Sequence, residues 1–235
     1  MPVTAGLLLL ADSRLPAGGH AHSGGLEAAA RAGLVTEMDG LEGFLRGRLA
    51  TAGLASAGLA AAACEHAAAV AGGAAPRWPE LDAEAAARTP SPAQRHAART
   101  QGRALLRAAR AAWPHPVLDA LAASPVPELA RGPFHPVALG ACTWVAGGSP
   151  ADAAVIAATA AISGPASAAV RLLGLDPLAV TGLLARLAGN VTGVAGPACQ
   201  AAAAGDWAAL PAPASPGLDL LAERHAQEEV ALFES

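Results

Sequence analysis

The chain has 235 residues and a formal charge of -4, with 53% hydrophobic, 14% charged and 3% aromatic residues, so it is long enough to bury a sizeable core. All fifteen basic residues are Arg and there is neither Lys nor Tyr, which excludes lysine Schiff-base chemistry and tyrosyl acids or nucleophiles. The net negative charge gives no general pull toward nucleic acid, and few aromatic residues are available for base stacking.

Much of the hydrophobic fraction is Ala, which favours helix formation far more than entry into lipid. In chain order, a short apolar run from Leu7 comes first. No positive charge precedes it and Asp12 and Arg14 follow at once, so a signal peptide is not expected and the chain is expected in the cytoplasm. Gly18, Gly19, Gly24 and Gly25 then alternate with His20, His22 and Ser23. Glycine at this density frees the backbone and lets another surface approach it, so residues 12–25 read as a ligand cradle or a docking surface.

A helix is expected after Thr36, with Asp39 as a weak capping-box partner, Leu41, Phe44, Leu45 and Leu49 on one stripe, and Glu42, Arg46 and Arg48 off it. Ser91-Pro92, Ser149-Pro150 and Asp176-Pro177 each read as a helix start. The first opens a helix reaching about Trp113, with Leu105, Leu106 and Ala109 inward and Arg99, Arg103, Arg107 and Arg110 on a basic face. Gly164-Pro165 and residues 193–197 are expected to break or kink helices, so that neither apolar stretch suits a lipid-facing span. Residues 72–79, 124–133 and 211–217 read as loops, and 218–235 as a helix whose apolar residues need a partner surface. Alternating β-type runs are absent. The expectation is an all-α, single-domain multi-helix bundle.

Cys64, Cys142 and Cys199 are too far apart for a paired metal clamp and read as small buried residues of a reduced protein. Cys64, Glu65 and His66 are neighbours that a helix points in different directions, so they read as one buried Cys beside two surface polar groups. His20 and His22 supply at most half of a tetrahedral metal site. The glycine loop follows no strand and lacks the Gly-Lys-Ser/Thr ending of a phosphate loop, and there is no Gly-x-Ser-x-Gly elbow. No catalytic set or cofactor is therefore assigned. The alternative is a small metal- or nucleotide-dependent enzyme built on the His20/His22 loop. The arginine stripe reads as a solvated face, or in a sharper use as a pairing surface for a partner's carboxylates.

Residues Leu10 to Glu27, with Arg14-Leu-Pro-x-Gly-Gly-x-x-x-Ser-x-Gly-Leu-Glu27, resemble the N-terminal signature of the urease accessory protein UreF family. Gln101-Gly-Arg-Ala-Leu-Leu106 is similar to its central helix motif, Arg171-Leu-Leu-Gly-Leu175 to its Arg/Lys-Leu-x-Pro-Leu segment, and residues 216–235 to its C-terminal tail. Three places depart from the family pattern: His20-Ala21-His22 stands where an aromatic residue is usual, Gly164-Pro165-Ala166 where Glu-Asn-Gln is usual, and Ala231-Leu-Phe-Glu where Arg-Leu-Phe-Arg is usual. The resemblance implies an all-α homodimer without catalytic activity. It would bridge UreD (also called UreH) and the nickel-carrying GTPase UreG, and with them activate apo-urease. It implies partner contacts at Arg14, Pro16, Gly18, Gly19, His22, Ser23, Gly25 and Glu27 in the loop, and at Arg99, Gln101 and Arg103 in the central motif. In the docking segment 218–235 it implies contacts at Arg224, His225 and Glu228, with Leu232 and Phe233 as apolar anchors.

Overall fold

A serine or aspartate followed by proline starts three long helices, as the sequence predicts. Ser91 accepts from the Gln94 amide at the head of Pro92–Ala112, and Asp176 accepts from the Leu178 and Ala179 amides at the head of Pro177–Ala203. Ser149 forms a full capping box with Asp152 at the head of Pro150–Leu173. The computed structural model describes residues 4–12, 14–17, 22–123, 129 and 131–227, and every regular element among them is helical. Helix α1 spans Ala5–Ala11, α2 Leu26–Arg31, α3 Met38–Arg48 and α4 Leu54–Ala71; a π-helical turn at Leu49–Gly53 joins α3 to α4 without a break. There follow α5 (Trp78–Ala87), α6 (Pro92–Ala112), α7 (Pro116–Ala122), α8 (His135–Val145), α9 (Pro150–Leu173) and α10 (Pro177–Ala203). A 3₁₀ turn at Trp207–Ala209 leads to α11 (Pro216–His225).

Helix α4 is the axis of the bundle and packs against α8, α9 and α10. Its sequence, LASAGLAAAACEHAAAVA, has small residues nearly all round, so neighbouring backbones come close on several sides. The tightest crossing is with α8. A Cβ at Gly140 would lie 2.1 Å from the Ala60 carbonyl oxygen, so the approach admits only glycine. Around this axis Leu41, Leu45, Leu49, Leu105, Leu183, Leu187 and Ile162 fill the core.

Several expectations are corrected. Helix α3 starts at Met38 with Glu37 in the cap position and no side-chain cap bond, so Thr36 and Asp39 form no capping box. Leu41, Leu45 and Leu49 are buried as expected, but Arg48 turns inward and donates to the Ala161 carbonyl. Pro165 and Pro197 lie inside helices that run through them. Proline at 165 removes the N–H that would bond the carbonyl four residues earlier, which is that of Ala161. Arg48 supplies the missing donor at 3.0 Å from its Nε. The glycine and proline positions therefore do not shorten the apolar helices. Among the described residues, Met38–Ala71, Pro150–Leu173 and Pro177–Ala203 are long and apolar enough to cross a membrane by length and composition alone. In the bundle the most apolar windows of the first two are half buried or more, whereas that of α10 is only 28% buried.

Replacing Gly140 by Ala forces α4 and α8 apart, and chemical denaturation should show a loss of about 1–3 kcal/mol or more. The matched control is Gly164→Ala, at a helical position where a Cβ would meet nothing within 4 Å; it should gain up to about 1 kcal/mol.

Candidate functional site

The predicted docking strip is divided in two by the fold. Arg14 and Pro16 are exposed, and Arg14 closes back on Asp12 at 2.6 Å, a bond that holds the Asp12 carboxyl down at about 2. Gly18, Gly19 and His20 lie outside the described residues. From His22 onward the chain turns inward: His22, Ser23, Gly25 and Glu27 are buried. Gly24 and Gly25 have φ of +61° and +87°, conformations that suit glycine, and they make the turn into α2. Ser23 Oγ accepts from the Glu27 amide at 3.2 Å. A Cβ on Gly24 would sit 3.0 Å from both the Arg48 guanidinium and Pro165 Cγ, so Gly24 serves close packing within this chain.

The C-terminal helix folds back onto this turn. Glu27 pairs with Arg31 at 2.7 Å and with His225 Nε2 at 3.5 Å, and the Glu27 and His225 side chains are only 1% and 3% exposed. Leu218 approaches Gly25. On the opposite side of α11, Glu223 accepts from Ser91 Oγ and, at 2.9 Å, from the Ala93 amide, so a carboxylate lies at the positive N-terminus of α6. These bonds, the Ser91 hydroxyl first, hold the Glu223 carboxyl below its ordinary range. Arg224 is exposed; Glu228, Leu232 and Phe233 lie outside the described residues. The expected helix 218–235 is seen as Pro216–His225. The entry to α11 is fixed by Arg88, whose guanidinium donates to the carbonyls of Trp207, Ala208, Leu210 and Pro211.

The central motif is a helix crossing. A Cβ on Gly102 would lie 1.9 Å from the Pro133 carbonyl oxygen, so α6 and the chain entering α8 touch through their backbones. Arg99 does not belong to a solvated face: its side chain is 13% exposed, bonds Asp82 and the Gly132 carbonyl at 2.8 Å each, and covers the Phe134 ring at 4.3 Å. The other Asp82 oxygen accepts from the Phe134 amide at 3.0 Å. Gln101 is half-buried, and Arg103 is exposed and reaches the Arg131 carbonyl at 3.4 Å.

Burial pushes the Cys64 and Cys142 thiols up to about 12, so both are un-ionised at neutral pH and poor nucleophiles. Cys64 is buried as expected. His66 is buried too, against expectation, and accepts from the Arg77 amide at 2.9 Å between the rings of Trp78 and Trp207. Among the described residues no three His, Cys, Asp or Glu side chains gather as metal ligands. Burial, helped by the nearby His22, lowers His135 to about 4, so it is neutral at physiological pH.

The sequence did not single out Asp82, Arg88 or Glu223; it set Arg48 off the apolar stripe of its helix and offered Pro165 only as a helix break. A charged residue breaking an otherwise apolar helix face was the available signal for Arg48.

The fold and this site define an all-helical protein whose motif residues clasp its own N- and C-terminal elements together. Residues 35–188 match the UreF family. The chain is 44% identical over 229 residues to a urease accessory protein UreF of Mycobacterium sp. (strain JLS), covering 97% of both chains. It is also 43% identical to that of Mycobacterium marinum and 42% to that of Mycolicibacterium vanbaalenii, each over the full length of both proteins. The chain belongs to the UreF family of urease accessory proteins.

Because His135 is held neutral when folded, its contribution to stability is complete above its ordinary value of 6.5 and is lost as pH falls toward 4. Urea midpoints measured across that interval should decline, and His135→Asn should flatten part of the decline; identical slopes in both proteins would exclude His135 as the group responsible.

Proposed function

We propose that this chain is a non-catalytic adaptor in urease maturation, working in the cytoplasm with UreD/UreH and the GTPase UreG to promote nickel insertion into apo-urease. The observation that carries this reading is the full-length match to proteins named urease accessory protein UreF. In this reading exposed Arg14 and Pro16 belong to one contact region and exposed Arg224 to another; Gly18, Gly19, Glu228, Leu232 and Phe233 are assigned as partner contacts on the family resemblance alone. Buried His22, Ser23, Gly25, Glu27 and His225 act behind these regions by holding them in register. Arg99 sets the position of α6, from which Arg103 faces outward beside half-buried Gln101.

A homodimer belongs to the same proposal, with its seam on α9 and α10. Their shared groove of about 250 Å³ is lined by Val155, Ile162, Leu184 and Val191, with Thr159 and Thr192 beside them. Val155 is 40% exposed and Leu178 81%, and the most apolar window of α10 is only 28% buried.

Size-exclusion chromatography with multi-angle scattering should give a dimer. Val155→Glu should give a monomer with unchanged helicity. Mixing the protein with UreD and with UreG loaded with GTP and nickel should give a co-eluting ternary species; failure of every combination to co-elute would overturn the adaptor reading.

A further inference from the structure

Arg31, Arg46, Arg77, Arg88 and Arg99 each close on a carboxylate of the same chain. On the outer face of α6 most guanidiniums are not paired in this way. Arg103 reaches only the Arg131 carbonyl, exposed Arg131 and Arg107 have no carboxylate partner among the described residues, and of the four only Arg110 is paired, with Asp119 at 2.7 Å. In a protein of net charge -4 this is a local concentration of uncompensated positive charge.

These guanidiniums border a half-open groove of about 170 Å³. Arg103, Arg107 and Arg110 form one wall; Leu106, Leu129 and Pro133 supply apolar surface, and Ala122 stands at the rim. The volume is well below the roughly 300–1,000 Å³ of a small-molecule site, but it accommodates one aliphatic side chain. Arg103 and Arg107 lie one helical turn apart, about 6 Å along the axis. Alternate side chains of an extended peptide are spaced by about 6.6 Å. Two carboxylates two residues apart therefore face Arg103 and Arg107 together, and the residue between them points across the groove toward the chain that carries Leu129 and Pro133. Arginine suits this role because its planar fork pairs with carboxylate in two-pronged fashion.

We infer that the groove between α6 and the chain preceding α8 is a docking site for an extended acidic segment of a partner protein, read as carboxylate, apolar residue, carboxylate. Arg103 and Arg107 pair with the acidic groups, and Leu129 and Pro133 across the groove receive the apolar side chain. The inference is independent of the urease reading, because binding is measured on this chain alone.

The test is fluorescence anisotropy of a labelled, end-blocked Glu-Leu-Glu-Leu-Glu peptide titrated with the full-length protein. Saturable binding that weakens with added salt is expected. Arg107→Glu should weaken it by about tenfold or more, as should Ala122→Glu, which adds bulk and like charge at the rim. Both positions are exposed, so melting temperatures should stay at the wild-type value and separate lost binding from lost folding. The Gln-Leu-Gln-Leu-Gln peptide should not bind. Absence of binding by the acidic peptide, equal binding by the glutamine peptide, unchanged affinity in both variants, or full displacement by millimolar inorganic phosphate would each overturn the proposal, the last by reducing the site to a simple anion trap.

Discussion

The contact between Gly140 and the Ala60 carbonyl is the constraint on which the bundle depends, because it fixes how closely α8 can lie against the central helix. Leucine-rich helices are kept apart by their side chains, and the hydrophobic gain then comes from area. Here the side chains are largely methyl groups, so each buried residue removes little area from water and the helices must approach until their backbones nearly touch. Gly102 against the Pro133 carbonyl repeats the solution one helix further out. The cohesion of such a core is dispersion between well-fitted surfaces, which makes added volume at a crossing more damaging than loss of a methyl at the periphery.

A buried polar group without a partner is costly, and the inward turn of Arg48 removes one such cost. Pro165 leaves the Ala161 carbonyl without a helical donor, and Arg48 provides one from another helix. The Arg48 guanidinium then lies against Gly24, where a Cβ would sit 3.0 Å from it. Burial lowers Arg48 to about 10, yet it stays cationic at neutral pH. Helix α9, the α3 end and the N-terminal turn thus share one junction, and a change at Pro165 is felt at the glycine pair more than a hundred residues earlier in the chain.

The sequence made the helix starts legible because capping is local: Ser91, Ser149 and Asp176 bond amides two or three residues ahead, and the following proline gives up nothing. The stripe Leu41, Leu45 and Leu49 was legible for the same reason of short-range periodicity. What stayed hidden depended on distant partners. Arg99 read as surface because Asp82 and the Gly132 carbonyl, which draw it in, belong to other elements. Pro165 read as a break because its compensating donor lies 113 residues from Ala161. His66 read as a surface group because nothing nearby in a helix announces that the Arg77 amide will need an acceptor. For the candidate site, the motifs were visible as motifs, but whether their residues face outward or hold the chain to itself was not, since alternation of glycine and polar groups is compatible with both.

That distinction changes what a partner would meet. Ser23, Glu27 and His225 are spent inside the molecule, and Glu223 is spent on the head of α6. The N-terminal turn and α11 are consequently one mechanical unit: Glu27 lies 3.5 Å from His225 Nε2, Leu218 lies against Gly25, and Arg88 fixes the entry to α11 by four carbonyls. A macromolecule that takes hold of residues beyond His225 pulls on a helix whose other side carries the capping carboxylate of α6, and α6 presents the unpaired guanidiniums on its far turns. A substitution at Glu27 is therefore a change in how α11 is held before it is a change in any surface, and its effect on assembly has to be compared with that of an exposed neighbour such as Arg14 before a direct contact is assigned to it.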